Sequence, residues 1–202
     1  MNLPNTLTVS RIFLTPLLVV ILLTRMEGKE IYGAGIFVLA ALTDFLDGYF
    51  ARKRNQVTAI GKLLDPIADK LLLCSAFISL VELKLAPAWM VVIIVGREFA
   101  VSGIRSIAAS RGFLMPANWL GKTKMVLQTL TVVVLIVADT YIEPWLTFGR
   151  LLLWITVVVS LISAANYLMI FLKLMNQPIG TTGIEEYERE KRREERKEKI
   201  VS

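Results

Sequence analysis

The sequence has no histidine and a single cysteine, Cys74, among its 202 residues. Without histidine, no imidazole is present to ligate a metal or to act as a general base, so carboxylates are left for either task. A single cysteine excludes an intramolecular disulfide and says nothing about an oxidising compartment. Any catalytic or metal chemistry in this chain is therefore expected to rely on oxygen atoms.

Polar segments are also scarce, because 55% of the residues are hydrophobic. That share excludes an ordinary soluble domain and a disordered chain. Crossing the ~30 Å of bilayer hydrocarbon takes roughly 20 helical residues. The apolar runs of that length are 7–24, 31–51, 63–82, 87–108, 124–142 and 147–172. We predict an all-α, polytopic membrane protein with six transmembrane helices, the first of which is retained because no small-residue cleavage pattern follows it.

The distribution of lysine and arginine predicts the orientation, since cytoplasmic segments retain positive charge. One set of connecting segments is much richer in basic residues than the opposite set. The rich set contains Arg52, Lys53, Arg54, Lys62, Arg105, Arg111, Lys122, Lys124 and the bases of the C-terminal segment. We therefore expect a multi-pass protein of the cell membrane with both termini in the cytoplasm.

The C-terminal segment differs in composition from the rest of the chain. Between 185 and 199 its acidic and basic residues balance, and glutamates lie four positions before arginines, as in Glu185 and Arg189. This pattern favours a solvated helix over a lipid-binding polybasic segment. We expect a transmembrane catalytic domain over 1–175 and a charged cytoplasmic tail over 176–202, and no nucleic-acid partner.

Four aspartates lie next to the lipid-compatible runs. Asp44 and Asp47, three residues apart, share one face of the second span, and Asp65 and Asp69 share a face of the third. The connecting loop is short enough to make these two helices antiparallel neighbours. The four carboxylates are therefore expected to converge at the cytoplasmic boundary of the membrane.

Converging carboxylates in a low-dielectric setting must either take up protons or hold cations. Oxygen ligands favour hard ions, Mg²⁺ or Mn²⁺, with Ca²⁺ possible. Two such ions suit a phosphoryl-type displacement in which one carboxylate takes a proton from the attacking hydroxyl. Gly48, Ala51 and Gly61 would let a ligand approach the backbone closely. The competing interpretation is that the aspartates form interfacial salt bridges with nearby basic residues, which does not require these small residues.

At these residues the sequence resembles the CDP-alcohol phosphatidyltransferase family, whose signature is D-x₂-D-G-x₂-A-R-x₈-G-x₃-D-x₃-D. Every fixed position is met, by Asp44, Asp47, Gly48, Ala51, Arg52, Gly61, Asp65 and Asp69. The resemblance implies a six-helix membrane fold, usually homodimeric, that binds CDP-diacylglycerol or a related donor through two divalent cations.

The same resemblance implies roles for individual residues. Asp44, Asp47, Asp65 and Asp69 would ligate the metals, with Asp69 also the general base. Gly48, Ala51, Arg52 and Gly61 would contact the cytidine and diphosphate. Independently of the resemblance, the three-residue spacing of Asn5, Thr8 and Arg11 puts them on one helical face, where they would cap and line the donor site. Alternatively, Asn5 or Thr6 caps the start of the helix and Arg11 reaches the headgroups.

The segments 2–11, 96–110 and 121–129 resemble the bacterial phosphatidylglycerophosphate synthase branch of that family. The acceptor of that branch, glycerol 3-phosphate, carries a dianionic phosphate that needs cations. The candidates are Arg97, Arg105, Arg111, Lys122 and Lys124, and Glu98 is expected to orient one of them. Basic residues also collect on the cytoplasmic side for topological reasons, but charge inside the membrane, as at Arg97, is expensive.

Two other functions stay open at this point. One is a transferase of the same family with another acceptor, such as a cardiolipin, phosphatidylserine or phosphatidylinositol-phosphate synthase. The other is a divalent-cation transporter with an intramembrane aspartate site. Neither Gly48 nor Arg52 has an obvious role in a transporter.

Overall fold

The computed structural model describes residues 3–54, 59–113, 119–141 and 143–175. Within these ranges, side chains are described except at 3–7, 44–54, 59–63, 119–122, 139–141 and 143. The described residues form six helices. They are α1 (Leu3–Leu23), α2 (Lys29–Arg54), α3 (Ala59–Glu82), α4 (Ala88–Ser110), α5 (Trp119–Tyr141) and α6 (Glu143–Met175). Over these residues the prediction of an all-α fold is confirmed.

The helices pack as two groups that meet in a common core. α1 packs against α2 and α3, and α6 packs against α4 and α5. The two groups meet where α2 packs against α5 and where α3 packs against α4 and α5. Phe37, Phe77, Ile94 and Leu135 belong to the continuous buried core that results. Gly33 lets α2 approach α1 closely, because a Cβ added at this position would lie 2.4 Å from Leu22 Cδ2. Small residues serve this purpose wherever helices pack closely.

The ends of α3 and α4 explain how the chain turns between these helices. After α4, Gly112 adopts φ +81°, and Phe113 N–H donates to the carbonyl of Ala108 at 3.0 Å. This is the Schellman arrangement, in which glycine takes the left-handed position. α3 ends in the same way, with Leu85 N–H bonded to Leu80 at 2.9 Å, but the left-handed residue there is Lys84, at φ +60°.

The helices extend beyond the apolar runs on which they were predicted. α3 begins at Ala59 and α2 continues to Arg54, so Gly61, expected in the loop, lies within α3. Asp65 and Asp69 lie in the second and third turns of α3 instead of at its start. The helical backbone satisfies its own hydrogen bonds in water as well as in lipid, so helices do not stop where hydrophobicity does.

In the described part of the chain, one helix is long and apolar enough to cross a bilayer, Pro144–Met175, with a mean hydropathy of 2.2. Thr8–Leu23 and Thr123–Ala138 are shorter apolar segments. The expectation of six spans is therefore not confirmed. Charged side chains lower the hydropathy of the other helices, as Arg97, Glu98 and Arg105 do in α4.

Candidate active site

The interface of α1 and α3 aligns two polar pairs. Thr8 Oγ1 donates to Asp65 Oδ1, and Arg11 Nη1 forms an ion pair with Asp69 Oδ1. The three-residue step on α1 matches the four-residue step on α3, so both pairs lie along one seam. Thr8 and Arg11 are each only 1% exposed. The structure thus places two predicted aspartates beside two of the three predicted N-terminal residues.

The remaining members of the predicted metal and donor sites lie where no side chain is described. Asp44, Asp47, Gly48, Ala51 and Arg52 belong to α2, and Gly61 and Asn5 belong to α3 and α1. Among the described side chains, no three acidic, histidine or cysteine residues come together. α2, which carries the other two predicted metal ligands, is in contact with α3.

The chemistry of the described aspartates fits a hard divalent cation. Asp65 and Asp69 are one helical turn apart on α3, so their carboxylates rise from the same face. Both offer oxygen ligands of the type that Mg²⁺ and Mn²⁺ prefer. The competing interpretation expects salt bridges with Arg52, Lys53, Arg54, Lys62 or Lys70, and of these only the side chain of Lys70 is described. Asp69 forms an ion pair with Arg11 of α1.

A second polar cluster joins α4, α5 and α6. Glu98 Oε1 accepts from Arg97 Nη1 at 2.9 Å, from Gln128 Nε2 at 3.1 Å, and from Lys124 Nζ. Arg97 Nη2 also donates to Ser163 Oγ of α6 at 2.5 Å. Arg97, Glu98, Lys124 and Gln128 are all buried. This group, Arg97, Glu98, Lys124, Gln128 and Ser163, is called the Glu98 cluster below.

A cavity of about 380 Å³ separates the α1–α3 seam from the Glu98 cluster. Arg11 and Asp69 line one side, and Arg97, Glu98 and Lys124 line the other. Lys70 and Arg105 also line it, so among the described residues five basic and two acidic side chains face the space. Excess positive charge in a recess with apolar walls favours a small anionic ligand.

The structure brings three of the five predicted phosphate-binding residues to this cavity, namely Arg97, Arg105 and Lys124. Arg111 lies at the C-terminal cap of α4, outside the cavity lining. It is exposed, and its Nη1 is 2.8 Å from Met175 Sδ. The side chain of Lys122 lies outside the described residues.

Gln128 and Ser163 were missed by sequence reasoning. Gln128 lies four residues after Lys124 and so shares its helical face, a signal that could have identified it. Ser163 lies in the long apolar helix α6, where a buried serine is a candidate for interhelical hydrogen bonding. Nothing in the sequence indicates that it meets Arg97.

Residues 1–172 match the sequence profile of the CDP-alcohol phosphatidyltransferases. The chain belongs to the CDP-alcohol phosphatidyltransferase family. Relatives with the name CDP-diacylglycerol–glycerol-3-phosphate 3-phosphatidyltransferase occur in several bacteria. The one from Bacillus subtilis (strain 168) is 44% identical over 179 residues, covering 82% of this chain and 93% of the relative. The one from Rickettsia bellii (strain RML369-C) is 37% identical over 171 residues, covering 82% and 93%.

A plant relative extends this similarity. The chloroplastic and mitochondrial enzyme 1 of the same name from Arabidopsis thaliana is 36% identical over 184 residues, which cover 83% of this chain and 62% of that protein. Membership of the CDP-alcohol phosphatidyltransferase family fits the described site, because the profile spans both the α1–α3 seam and the Glu98 cluster. Both sides of the cavity therefore lie within the part of the chain that matches the family profile.

Proposed function

We propose that the protein transfers the phosphatidyl group of CDP-diacylglycerol to glycerol 3-phosphate, giving phosphatidylglycerophosphate and CMP. The observation that carries this proposal is the cavity with Asp69 on one side and Arg97, Arg105 and Lys124 around the rest of its wall. A small acceptor with a hydroxyl at one end and a phosphate at the other suits such a space. The relatives from Bacillus subtilis and Rickettsia bellii carry names that state this donor and this acceptor.

The proposed chemistry divides between the two sides of the cavity. Asp69 takes the proton from the 1-hydroxyl of glycerol 3-phosphate, and the oxygen then attacks the lipid-side phosphorus of the donor. Arg11 orients the Asp69 carboxylate through their ion pair. Arg97, Arg105 and Lys124 bind the acceptor phosphate. Arg111 and Lys122 stay predictions for this role.

The donor is proposed to bind along α1, α2 and α3. Two divalent cations, Mg²⁺ or Mn²⁺, would be held by Asp44, Asp47, Asp65 and Asp69. When bound, such cations neutralise the diphosphate and the leaving CMP. Asn5, Gly48, Ala51, Arg52 and Gly61 are proposed to contact the CDP moiety. Thr8 acts on the same site through its hydrogen bond to Asp65.

The same proposal places the chain in the cytoplasmic membrane. It also includes six spans over 1–175 and a charged tail over 176–202. Both termini lie in the cytoplasm, and the protein forms a homodimer. The distribution of basic residues supports the orientation, and the long apolar helix Pro144–Met175 supports membrane insertion. Single cysteines introduced at each terminus of a Cys74→Ser variant, treated with an impermeant thiol reagent in sealed right-side-out vesicles, test it: labelling of a terminus before permeabilisation would contradict the orientation.

An acceptor panel tests the function. Purified protein in detergent is supplied with CDP-diacylglycerol and with glycerol 3-phosphate, phosphatidylglycerol, serine or inositol phosphate in turn, and CMP release is measured. We expect release with glycerol 3-phosphate and its loss in Asp69→Asn with helix content unchanged. Preference for another acceptor would overturn the assignment within the family, and metal flux without CMP release would favour a transporter.

A further inference from the structure

Glu98 holds a position that the transfer chemistry does not by itself require. It lies on α4 with 9% of its surface exposed, and no step of the proposed reaction uses it. A single oxygen, Oε1, nevertheless accepts from Arg97 on the same helix and from Lys124 and Gln128 on α5. Three donors on one buried oxygen make this carboxylate the centre of the cluster.

The two cations around Glu98 are themselves buried, with Arg97 6% and Lys124 8% exposed. Like charges this close in a poorly solvated setting repel each other unless an anion lies between them. Without the carboxylate, repulsion would drive Lys124 and Arg97 apart, because the lysine side chain is flexible. Glu98 lies in contact with both cations and stabilises their close approach.

Other contacts make the arrangement rigid. Gln128 Nε2 holds the carboxylate from α5 at 3.1 Å, and Ser163 of α6 holds the second guanidinium nitrogen of Arg97 at 2.5 Å. One carboxylate against two cations still leaves the cluster positive, so the wall it presents to the cavity attracts an anion.

We propose that Glu98 is a positioning residue for the acceptor: its carboxylate fixes Arg97 and Lys124 at the cavity wall so that a phosphate-bearing acceptor meets both cations already in place. This inference rests on the proposed function, since it assigns the anion in the cavity to the acceptor. Preorganised cations bind an anion better than mobile ones because less side-chain freedom is lost on binding.

A second interpretation gives an effect of opposite sign. If Glu98 only reduced the positive charge of the cavity, its neutralisation would strengthen binding of an anion. If it positions the cations, its neutralisation weakens binding despite the added positive charge. The sign of the change in KM for glycerol 3-phosphate therefore separates the two interpretations.

The test begins with Glu98→Gln, which keeps the shape of the side chain and removes its charge. We expect KM for glycerol 3-phosphate to rise by about tenfold or more, equivalent to about 1.4 kcal/mol. KM for CDP-diacylglycerol and kcat at saturating acceptor should stay unchanged, as for the loss of an interaction that binds ground and transition states equally. Glu82→Gln, at the exposed end of α3, is the matched control and should leave both KM values unchanged.

A double variant, Glu98→Gln with Gln128→Glu, moves the carboxylate to the adjacent side chain within the cluster. We expect it to recover most of the acceptor affinity, which a defect in folding alone would not allow. An unchanged or lowered KM for glycerol 3-phosphate in Glu98→Gln would overturn the inference and leave the proposed function intact. The inference would also be overturned if Glu98→Gln raised both KM values equally and lowered the thermal stability, and if the double variant showed no recovery. Absence of CMP release by the unsubstituted protein with glycerol 3-phosphate would instead overturn the proposed function.

Discussion

Arg11 of α1 forms an ion pair with Asp69 of α3, and the two side chains are buried to different degrees. The Arg11 side chain is 1% exposed, whereas that of Asp69 is 32% exposed and lines the cavity. A guanidinium so deeply buried is held by the surrounding helices, while the carboxylate keeps access to a ligand. The pair therefore anchors the cavity-facing group from the protein side.

Arg11→Met should reduce CMP release with glycerol 3-phosphate, because Asp69 loses the charge that orients it. Removing one partner of a fully buried pair costs about 3–5 kcal/mol, but Asp69 is partly screened, so we expect a loss of about tenfold, or about 1.4 kcal/mol. Arg11→Lys, which keeps the charge, should retain more activity. Arg25→Met, in the exposed turn after α1, is the control. Full activity in Arg11→Met would refute this role.

Thr8→Val tests the neighbouring pair. The variant keeps the branched shape and removes the hydroxyl that donates to Asp65. Hydrogen bonds to charged groups contribute about 1.5–3 kcal/mol, so kcat should fall by about tenfold or more, while Thr8→Ser should stay near the unsubstituted rate. Equal rates for the valine and serine variants would show that the hydroxyl contributes nothing to turnover.

Much of this site could be predicted from the sequence, because helical spacing and charge placement carry the information. The four-residue spacing of Asp65 and Asp69 predicts that they share one face of a helix. Arg97 and Lys124 were predicted as cations for an acceptor phosphate, and both line the cavity. The all-helical class follows from the apolar runs.

The rest depends on tertiary packing, which no local pattern encodes. Spacing predicts that Thr8 and Arg11 share a face, but not that this face meets Asp65 and Asp69. Likewise, Ser163 reaches Arg97 only because α6 packs against α4. Helix boundaries were also missed: α3 begins at Ala59, one turn before the apolar run 63–82 on which it was predicted.

The left-handed residue after α3 offers a prediction about stability. Lys84 adopts φ +60°, a conformation that costs an L-residue roughly 1–2 kcal/mol relative to glycine. Lys84→Gly should raise the free energy of unfolding by about 1 kcal/mol, measured as a higher midpoint of thermal unfolding in detergent, with CMP release unchanged. Glu82→Gly, at the last residue of α3, places glycine where a helical conformation is needed and should lower it by up to about 1 kcal/mol. If Lys84→Gly is no more stable than the unsubstituted protein, the lysine side chain makes a contact that offsets the cost of its left-handed conformation.

Metal removal provides the most direct test of the carboxylate chemistry. Asp65 and Asp69 offer oxygen atoms to a cation and face the same side of α3, so EDTA should stop CMP release and added Mg²⁺ or Mn²⁺ should restore it. Asp65→Asn removes the charge of one proposed metal ligand and should raise the metal concentration needed for half-maximal rate by about tenfold or more. Glu27→Gln, an exposed acidic residue in the turn before α2, should need no more metal than the unsubstituted protein. An undiminished rate in EDTA after exhaustive dialysis would show that these carboxylates act without a cation, and Asp69 would then have to be assigned to proton transfer alone.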